Sequence, residues 1–540
     1  MKKNIISIGI FAITTIGAQA QEVKEVVQPL SPKAAKGYLY NAAKDATGNS
    51  IITYKIPGPK KSNEIFFEEY TFDKNLKFTG SKEVPEKKEQ HDDFEKTTYS
   101  AYVGGVTSFD VANMKLKLTK DIALKTWSPE KKIFITKKWI SSETIKAKND
   151  NGKVYTGYAA YYPIDEKEVF VIAKINSKEK NVDDKFYVLL FDEKLEIKEK
   201  LLDLNGSYSV VFCEQVASKD VVIVFAPNKG AADVSKYVYF QYDIKGNLKN
   251  KVEFNSPASA LLITAASEKD GNVYFCGSSQ KTVEPYEKVF REYAPIYNPG
   301  ITPGGMNMKD IYWQKAASEK MDNFHLLKFS GNQLTFSSTT PVSDFKSKFK
   351  TAPADKGASL YKGSKFSINN FFVTPSGDYL VAGQLTNMIS MGTANPSVKA
   401  YEDIVCLHFN KNGNLMAQYG VSKINNDKKS EIFEMPQNFY LSADGKKIFW
   451  EILEVKGTKG YESFIDAYNG NSSWYALYFP RISSIDLETS TLSTFKILGN
   501  EKYFTKKDFP GIFDKNERSI TYFGHDDDFK NILVGKVTIE

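Results

Sequence analysis

Arginine is almost missing from this chain. Of 72 basic residues only Arg291, Arg481 and Arg518 are arginine; the others are lysine. Planar, bidentate recognition of phosphate favours arginine. No dense basic block occurs either, so the net charge of +7 is a diffuse lysine excess. These two absences argue against a nucleic-acid partner. Cysteine is equally scarce: Cys213, Cys276 and Cys406 each sit inside an apolar run (VVFCEQV, VYFCGS, IVCLHF). A disulfide scaffold would carry many more, evenly paired. The three read as buried free thiols packing as small hydrophobes, with one disulfide plus an odd thiol as the other reading. Catalytic signatures are missing as well: there is no GxSxG elbow, HExxH, P-loop or GxGxxG. No cofactor is expected.

Apart from the amino-terminal segment, no apolar run approaches the ~20 residues that a membrane-spanning helix needs. The opening MKKNIISIGIFAITTIGAQAQEV has Lys2 and Lys3, an apolar stretch from Ile5 to Ile16, and Ala18-Gln19-Ala20. That is the layout of a secretory signal peptide. Cleavage is expected after Ala20, with residues 21–35 a linker and 36–540 one domain. With the first cysteine at Cys213, a lipid anchor near the cleavage site is not expected. The sequence therefore predicts an exported protein, periplasmic or extracellular, with no transmembrane segment after cleavage.

What the chain does have is aromatic residues, at 14%, and short apolar runs punctuated by glycine, asparagine and aspartate. That pattern is all-β. One phrase recurs: an apolar strand ending in an aromatic, a polar turn, then a further strand opening on Leu or a similar residue. Clear copies are EEYTFDKNLKF, YVLLFDEKLEI, YFQYDIKGNLKN, HLLKFSGNQLTF and VCLHFNKNGNLMA; weaker ones are VTSFDVANMKLKL and ISSIDLETSTL. They place Phe72, Phe109, Phe191, Tyr242, Phe329, Phe409 and Ile485 at equivalent positions. Asp, Asn and Gly suit such turns because they tolerate positive φ or bond to the local backbone.

A second phrase, apolar strand, Ser/Asp/Gly turn, apolar strand, accompanies the later copies: ITAASEKDGNVYFCG, FFVTPSGDYLVAG, FYLSADGKKIFWEI and GIFDKNERSITYFG. Ser442-Ala443-Asp444-Gly445-Lys446 is its fullest form. This phrase resembles the Ser-x-Asp-Gly-Lys turn of TolB-like bacterial propeller repeats, best over the last half of the chain. The resemblance implies a fold and no particular function. The ordered pair of hairpins is one four-stranded propeller blade. The expected fold is a β-propeller of four-stranded antiparallel blades, seven in number, with six or eight as the alternatives. A strand from GYLYNAA or SIITYKI is expected to complete the last blade.

In an up-and-down blade the second-to-third loop and the loop to the next blade leave by the same face. Residues 281–322, 387–401 and 456–479 are connections of the first kind, and 340–365 of the second. All four therefore decorate one face, whereas the opposite turns are short. The decorating segments carry Tyr286, Arg291, Tyr293, Tyr297, Tyr312, Trp313, Tyr461, Tyr468, Trp474 and Tyr475, with Arg481 just beyond. Such residue types concentrate at interface centres, and long loops also use them to build small cores of their own. The expected partner is an envelope protein, a peptide or a glycan.

His91-Asp92-Asp93 and His525-Asp526-Asp527-Asp528 read as solvated polar turns, because consecutive strand carboxylates point to opposite faces and chelate poorly. His325 and His408 read as packing or surface residues of third strands. The functional expectation is a non-enzymatic binding or scaffold protein. The alternative is a propeller enzyme acting on a polysaccharide, a glycosidase or lyase, which requires two carboxylates or a His/Tyr pair converging in a central pocket.

Overall fold

The computed structural model describes residues 23–87, 197–290, 319–390, 397–460 and 474–539, apart from a few loop positions, together with the backbone of strands between 105 and 191. Among the described residues seven sheets have four strands or more, antiparallel throughout except where Phe349–Thr351 adds in parallel to Leu415–Val421. Blade one is Tyr38–Lys44, Ser50–Ile56, Glu64–Phe72 and Phe78–Lys87. Blade two is Gly157–Pro163, Val169–Ile175, Lys185–Phe191 and Ile197–Leu201. Blade three is Tyr208–Gln215, Val221–Pro227, Lys236–Tyr242 and Leu248–Asn255. Blade four is Leu261–Lys269, Asn272–Ser279, Asn323–Ser330 and Gln333–Pro341. Blade five is Phe366–Val373, Tyr379–Ser390, Ser397–Phe409 and Leu415–Val421. Blade six is Gln437–Leu441, Lys447–Gly460, Trp474–Asp486 and Thr491–Leu492. Blade seven combines Ile512–Asp514, Ser519–Asp526 and Asn531–Thr538 with Val23–Pro29. The strands of 105–145 lie between blades one and two in sequence and form a three-stranded and a two-stranded sheet. The hairpin of Phe109 belongs there, outside the four-stranded set.

The chain is a β-propeller. First strands of consecutive blades from two to six touch one another, so these strands are innermost. The core is not one mass but a series of slabs, each between two neighbouring blades. Val221, Ile223 and Phe225 pack toward blade two, while Val222, Val224 and Ala226 pack toward blade four. Blade five repeats this: Val381 faces blade four, Leu380 and Ala382 face blade six. Middle strands are therefore buried on both sides, which is why VVIVFAP is continuously apolar rather than alternating. The three cysteines are free and buried in these slabs; burial lifts the Cys276 thiol to about 12.

The recurring aromatic ends, or nearly ends, the third strand. The next residue then caps the turn with its side chain. Asp243 Oδ1 accepts from the backbone N–H of Lys245 (2.9 Å) and Asn247 (2.8 Å). Asp73 and Asn410 do the same in blades one and five. Three residues after each cap the backbone turns left-handed, at Leu76 (φ 67°), Gly246 (75°) and Gly413 (74°). In the inner hairpin of blade six, Ser442 Oγ donates to Asp444 Oδ1 (2.7 Å), Asp444 accepts from Lys446 N–H (3.0 Å), and Gly445 has φ 72°. The Ser-x-Asp-Gly-Lys spelling is thus a self-bonded tight turn.

These outer turns also lock the blades in sequence. The turn after a third strand rests on the preceding blade. Lys200 Nζ donates to Gly246 O (3.0 Å), Thr340 Oγ1 to Gly413 O (3.5 Å) and Lys536 Nζ to Lys74 O (3.2 Å). The last of these joins blade seven to blade one, as do Lys44–Asp514 (3.0 Å) and the slab of Phe523, Ile532 and Val534 against Ile52, Tyr54 and Phe72.

One expectation is corrected here. GYLYNAA and SIITYKI are strands of blade one. The strand that completes the last blade is Val23–Pro29, inside the expected linker, paired from Val23↔Val537 to Pro29↔Asn531. Its pattern VKEVVQP escaped notice because an outermost strand buries little and shows weak alternation.

Candidate interaction site at the mouth of blades five and six

The connectivity puts the long connections on one face. In blades five and six the second and third strands run on past the blade body as hairpins. Thr386–Ser390 pair with Ser397–Tyr401, and Gly457–Gly460 with Trp474–Leu477. The connection from blade five to blade six, residues 422–436, lies on the same face.

Between these two blades a polar seam opens toward that face. Its centre is Asn369, the extra residue of a β-bulge between Ile368 and Asn370 on the innermost strand of blade five. A bulge re-aims a side chain that regular pleating would place differently. Asn369 Nδ2 donates to Glu434 Oε1, and Asn369 Oδ1 accepts from Gln437 Nε2 at 3.1 Å. Gln437 Oε1 takes the indole N–H of Trp450 (3.1 Å), and Asn370 Nδ2 reaches Gln437 O (3.0 Å). Gln384 fixes the entering chain by accepting from Met435 N–H (2.7 Å). Lys399 Nζ donates to Ser367 Oγ (2.7 Å) and lies 4.8 Å from the ring centroid of Tyr401. Ser367, Asn369, Glu434, Lys399 and Tyr401 are all half-buried. The seam presents an amide, a carboxylate, an ammonium and an aromatic ring within a rigid frame, a set suited to hydrogen bonding and stacking.

Behind the seam lies a buried ion pair. Arg481 Nη1 donates to Glu454 Oε2 (2.6 Å) and to Ser422 O (3.2 Å), and the guanidinium lies 4.9 Å from the Phe495 ring centroid. Glu454 Oε1 also accepts from Ile424 N–H (2.9 Å). Burial pushes the Glu454 carboxyl up, and Arg481 opposes that shift. Three residues back on the same strand, and so on its opposite face, Glu451 is buried between blades six and seven. It accepts from Tyr522 OH (2.5 Å), Asn438 Nδ2 (2.7 Å) and Tyr440 OH (3.1 Å), and burial raises its carboxyl despite these donors.

Two expected contact residues are corrected. Tyr286 is fully buried with Phe290 in the slab between blades three and four, so it anchors the long connection rather than facing a partner. Arg481 is 6% exposed and committed to Glu454. Their residue types favour interfaces, but the same flat, amphipathic groups also fill cores. Arg291, Tyr293, Tyr297, Tyr312, Trp313, Tyr461 and Tyr468 lie outside the described residues. Trp474 and Tyr475 stand on the blade six hairpin, opposite Gly460 and Lys459. The seam residues themselves escaped sequence reading; the paired Asn369-Asn370 inside an apolar strand was the available signal.

His325, His408 and His525 are buried, whereas His91, Asp92 and Asp93 lie outside the described residues. His325 is buried, with Nε2 2.8 Å from Ser279 Oγ and Nδ1 3.0 Å from Thr339 Oγ1, and burial lowers it to about 4. That Ser–His contact has the reach of a nucleophile and base, but Ser279 is wholly enclosed. His525, expected in a solvated turn, is buried against Tyr54, whose hydroxyl is 3.0 Å from Nδ1. This His/Tyr pair lies on second strands, not on the innermost ones. Asp526 accepts from Lys530 and Asn531 N–H and caps the turn. Among the described residues no trio of His, Cys, Asp or Glu is placed to hold a metal ion.

No family model matches the chain, and no curated protein matches it. Solved structures with distant likeness include a lignostilbene dioxygenase of Pseudomonas brassicacearum. It is 10% identical, covers 97% of this chain and 93% of its own, and has a TM-score of 0.27. A member of the DUF4221 family from Bacteroides vulgatus is 10% identical over 71% of this chain and 94% of its own, with a TM-score of 0.25. An α-L-arabinofuranosidase of Fusarium graminearum is 8% identical over 73% and 95%, with a TM-score of 0.22.

Proposed function

We propose that this chain is an exported, non-enzymatic propeller that binds a partner in the cell envelope or outside the cell through its long-connection face. The observation that carries the reading is the coincidence, on one face, of the projecting hairpins of blades five and six with the half-buried seam of Asn369, Glu434, Lys399 and Tyr401. Export rests on the signal-like opening of the sequence. The partner is an envelope protein, peptide or glycan, held by hydrogen bonds at the seam and by aromatic contacts from the hairpins.

The test is capture from envelope extracts and on immobilised glycans. Three proteins are compared: the wild type, K399E/N369A, and a deletion of 292–318 that leaves the anchors Tyr286, Phe290 and Met321 in place. The reading expects a ligand retained by the wild type and lost by at least one variant that still folds. Identical retention by all three proteins overturns it.

A further inference from the structure

Blade seven is assembled differently from its neighbours. In blades one, three, four and five the outermost strand follows the third through a tight turn, as Leu415–Val421 follows Phe409. The outermost strand of blade seven, Val23–Pro29, has no such covalent tie. Its chain neighbour is blade one, and the two ends of the connection belong to different blades. Leu30 N–H donates to Lys530 O (2.8 Å), on blade seven. The next residue, Ser31, bonds to blade one through Tyr70 OH (2.8 Å) and Glu68 Oε2 (2.5 Å), and Ala34 is buried there. The changeover falls between residues 30 and 31, one residue beyond Pro29.

The strand is held mainly by its backbone ladder. None of its seven side chains is fully buried, and Val27 is 47% exposed. Val23 and Val26 pack only partly on the neighbouring slabs, and Glu25 Oε1 accepts from Gly499 N–H (2.7 Å). The strand it covers, Asn531–Thr538, is mostly buried and fixed on its other side to Ser519–Asp526. Peeling off residues 23–29 therefore leaves a firm blade with a seven-residue open edge, and open edges recruit strands.

We propose that residues 23–29 are an exchangeable closing strand, and that the Asn531–Thr538 edge accepts the same strand from a second copy of this chain. Reciprocal exchange rebuilds every ladder bond and closes a two-fold dimer, a low-cost route to association. Intramolecular closure wins in dilute solution because the tethered strand has an effective concentration in the millimolar range (~mM). Exchange becomes competitive only when chains refold at comparable concentration.

The experiment uses V26C/V534C, at directly opposed positions, refolded dilute and concentrated and then oxidised. Differently tagged copies are mixed, and the 26–534 link is mapped by mass spectrometry. The native thiols are buried and stay silent after refolding. The expected result is an intrachain link in dilute samples and an interchain link rising several-fold in concentrated ones. Intrachain links alone at every concentration overturn the proposal. Should the pair fail to oxidise, a chain lacking residues 1–30 is titrated with a synthetic 21–31 peptide. Saturable one-to-one binding with a rise in Tm supports a detachable strand; no binding overturns it.

Discussion

The two faces of this propeller are built on opposite plans. On the short-turn face the described outer turns of blades one, three and five are self-bonded, left-handed at one position, and bonded to the blade before them. On the long-connection face the strands overrun the blade, and the side chains between blades five and six form a half-buried polar seam. On both faces polar groups tie neighbouring blades together, but those of the second face, such as Asn369 and Glu434, stay half-buried. Under the proposed function, the short-turn face serves stability and the long-connection face serves binding. Variants of the short turns and of the buried pair beneath the seam should lower stability, whereas variants of the half-buried seam residues should alter binding.

The largest stability effect should come from the buried pair beneath the seam. Arg481→Ala strands Glu454 without its cation, at a cost of about 3–5 kcal/mol, read by chemical denaturation. Replacing both partners by apolar residues should recover most of that loss, because the pair's desolvation cost vanishes with it. A result near zero for Arg481→Ala would place water, rather than protein, around Glu454.

On the short-turn face, Gly413→Ala should cost about 1–3 kcal/mol. The position is left-handed at φ 74°, and an added Cβ meets Ser338 and Phe336 of blade four. Asp243→Ala removes an acceptor from three donors, Lys245 N, Asn247 N and Asn247 Nδ2, and should cost about 1 kcal/mol. Neither should change ligand retention; if Gly413→Ala abolished it at full folding, the division between faces would be wrong. At the other extreme, Met388→Ser on the blade five hairpin, 47% exposed, should move stability by less than about 0.5 kcal/mol.

Glu451 supplies a pH test of the seam between blades six and seven. Its folded-state carboxyl is raised, so the native protein holds its proton to higher pH than the unfolded chain does. Stability from this group is present at acid pH and declines as pH rises through the carboxylate range and above. Glu451→Gln should flatten that decline in a denaturation series against pH. An unchanged slope would mean that another group carries it.

Much of this fold was legible in the sequence. The aromatic at the end of the third strands of blades one to five, the capping Asp or Asn of blades one, three and five, and the Ser442–Lys446 turn are local devices, and local chemistry is written locally. The one-sided placement of long connections followed from antiparallel order alone. Less of the site was legible. Tyr286 and Arg481 have the composition of a contact surface, yet both are buried, since burial is decided by what packs opposite. Asn369 becomes prominent only because a bulge turns it toward Glu434, some 65 residues away.

By itself, then, the sequence determined strands, turns and their repeat, because periodicity and turn propensity act over a few residues. Tertiary structure alone decided the rest. It paired Val23–Pro29 with the far end of the chain, enclosed Arg481 with Glu454, and brought Asn369 to Glu434. Each of these joins groups that no local rule relates, and their energies exist only once neighbouring blades have excluded water between them.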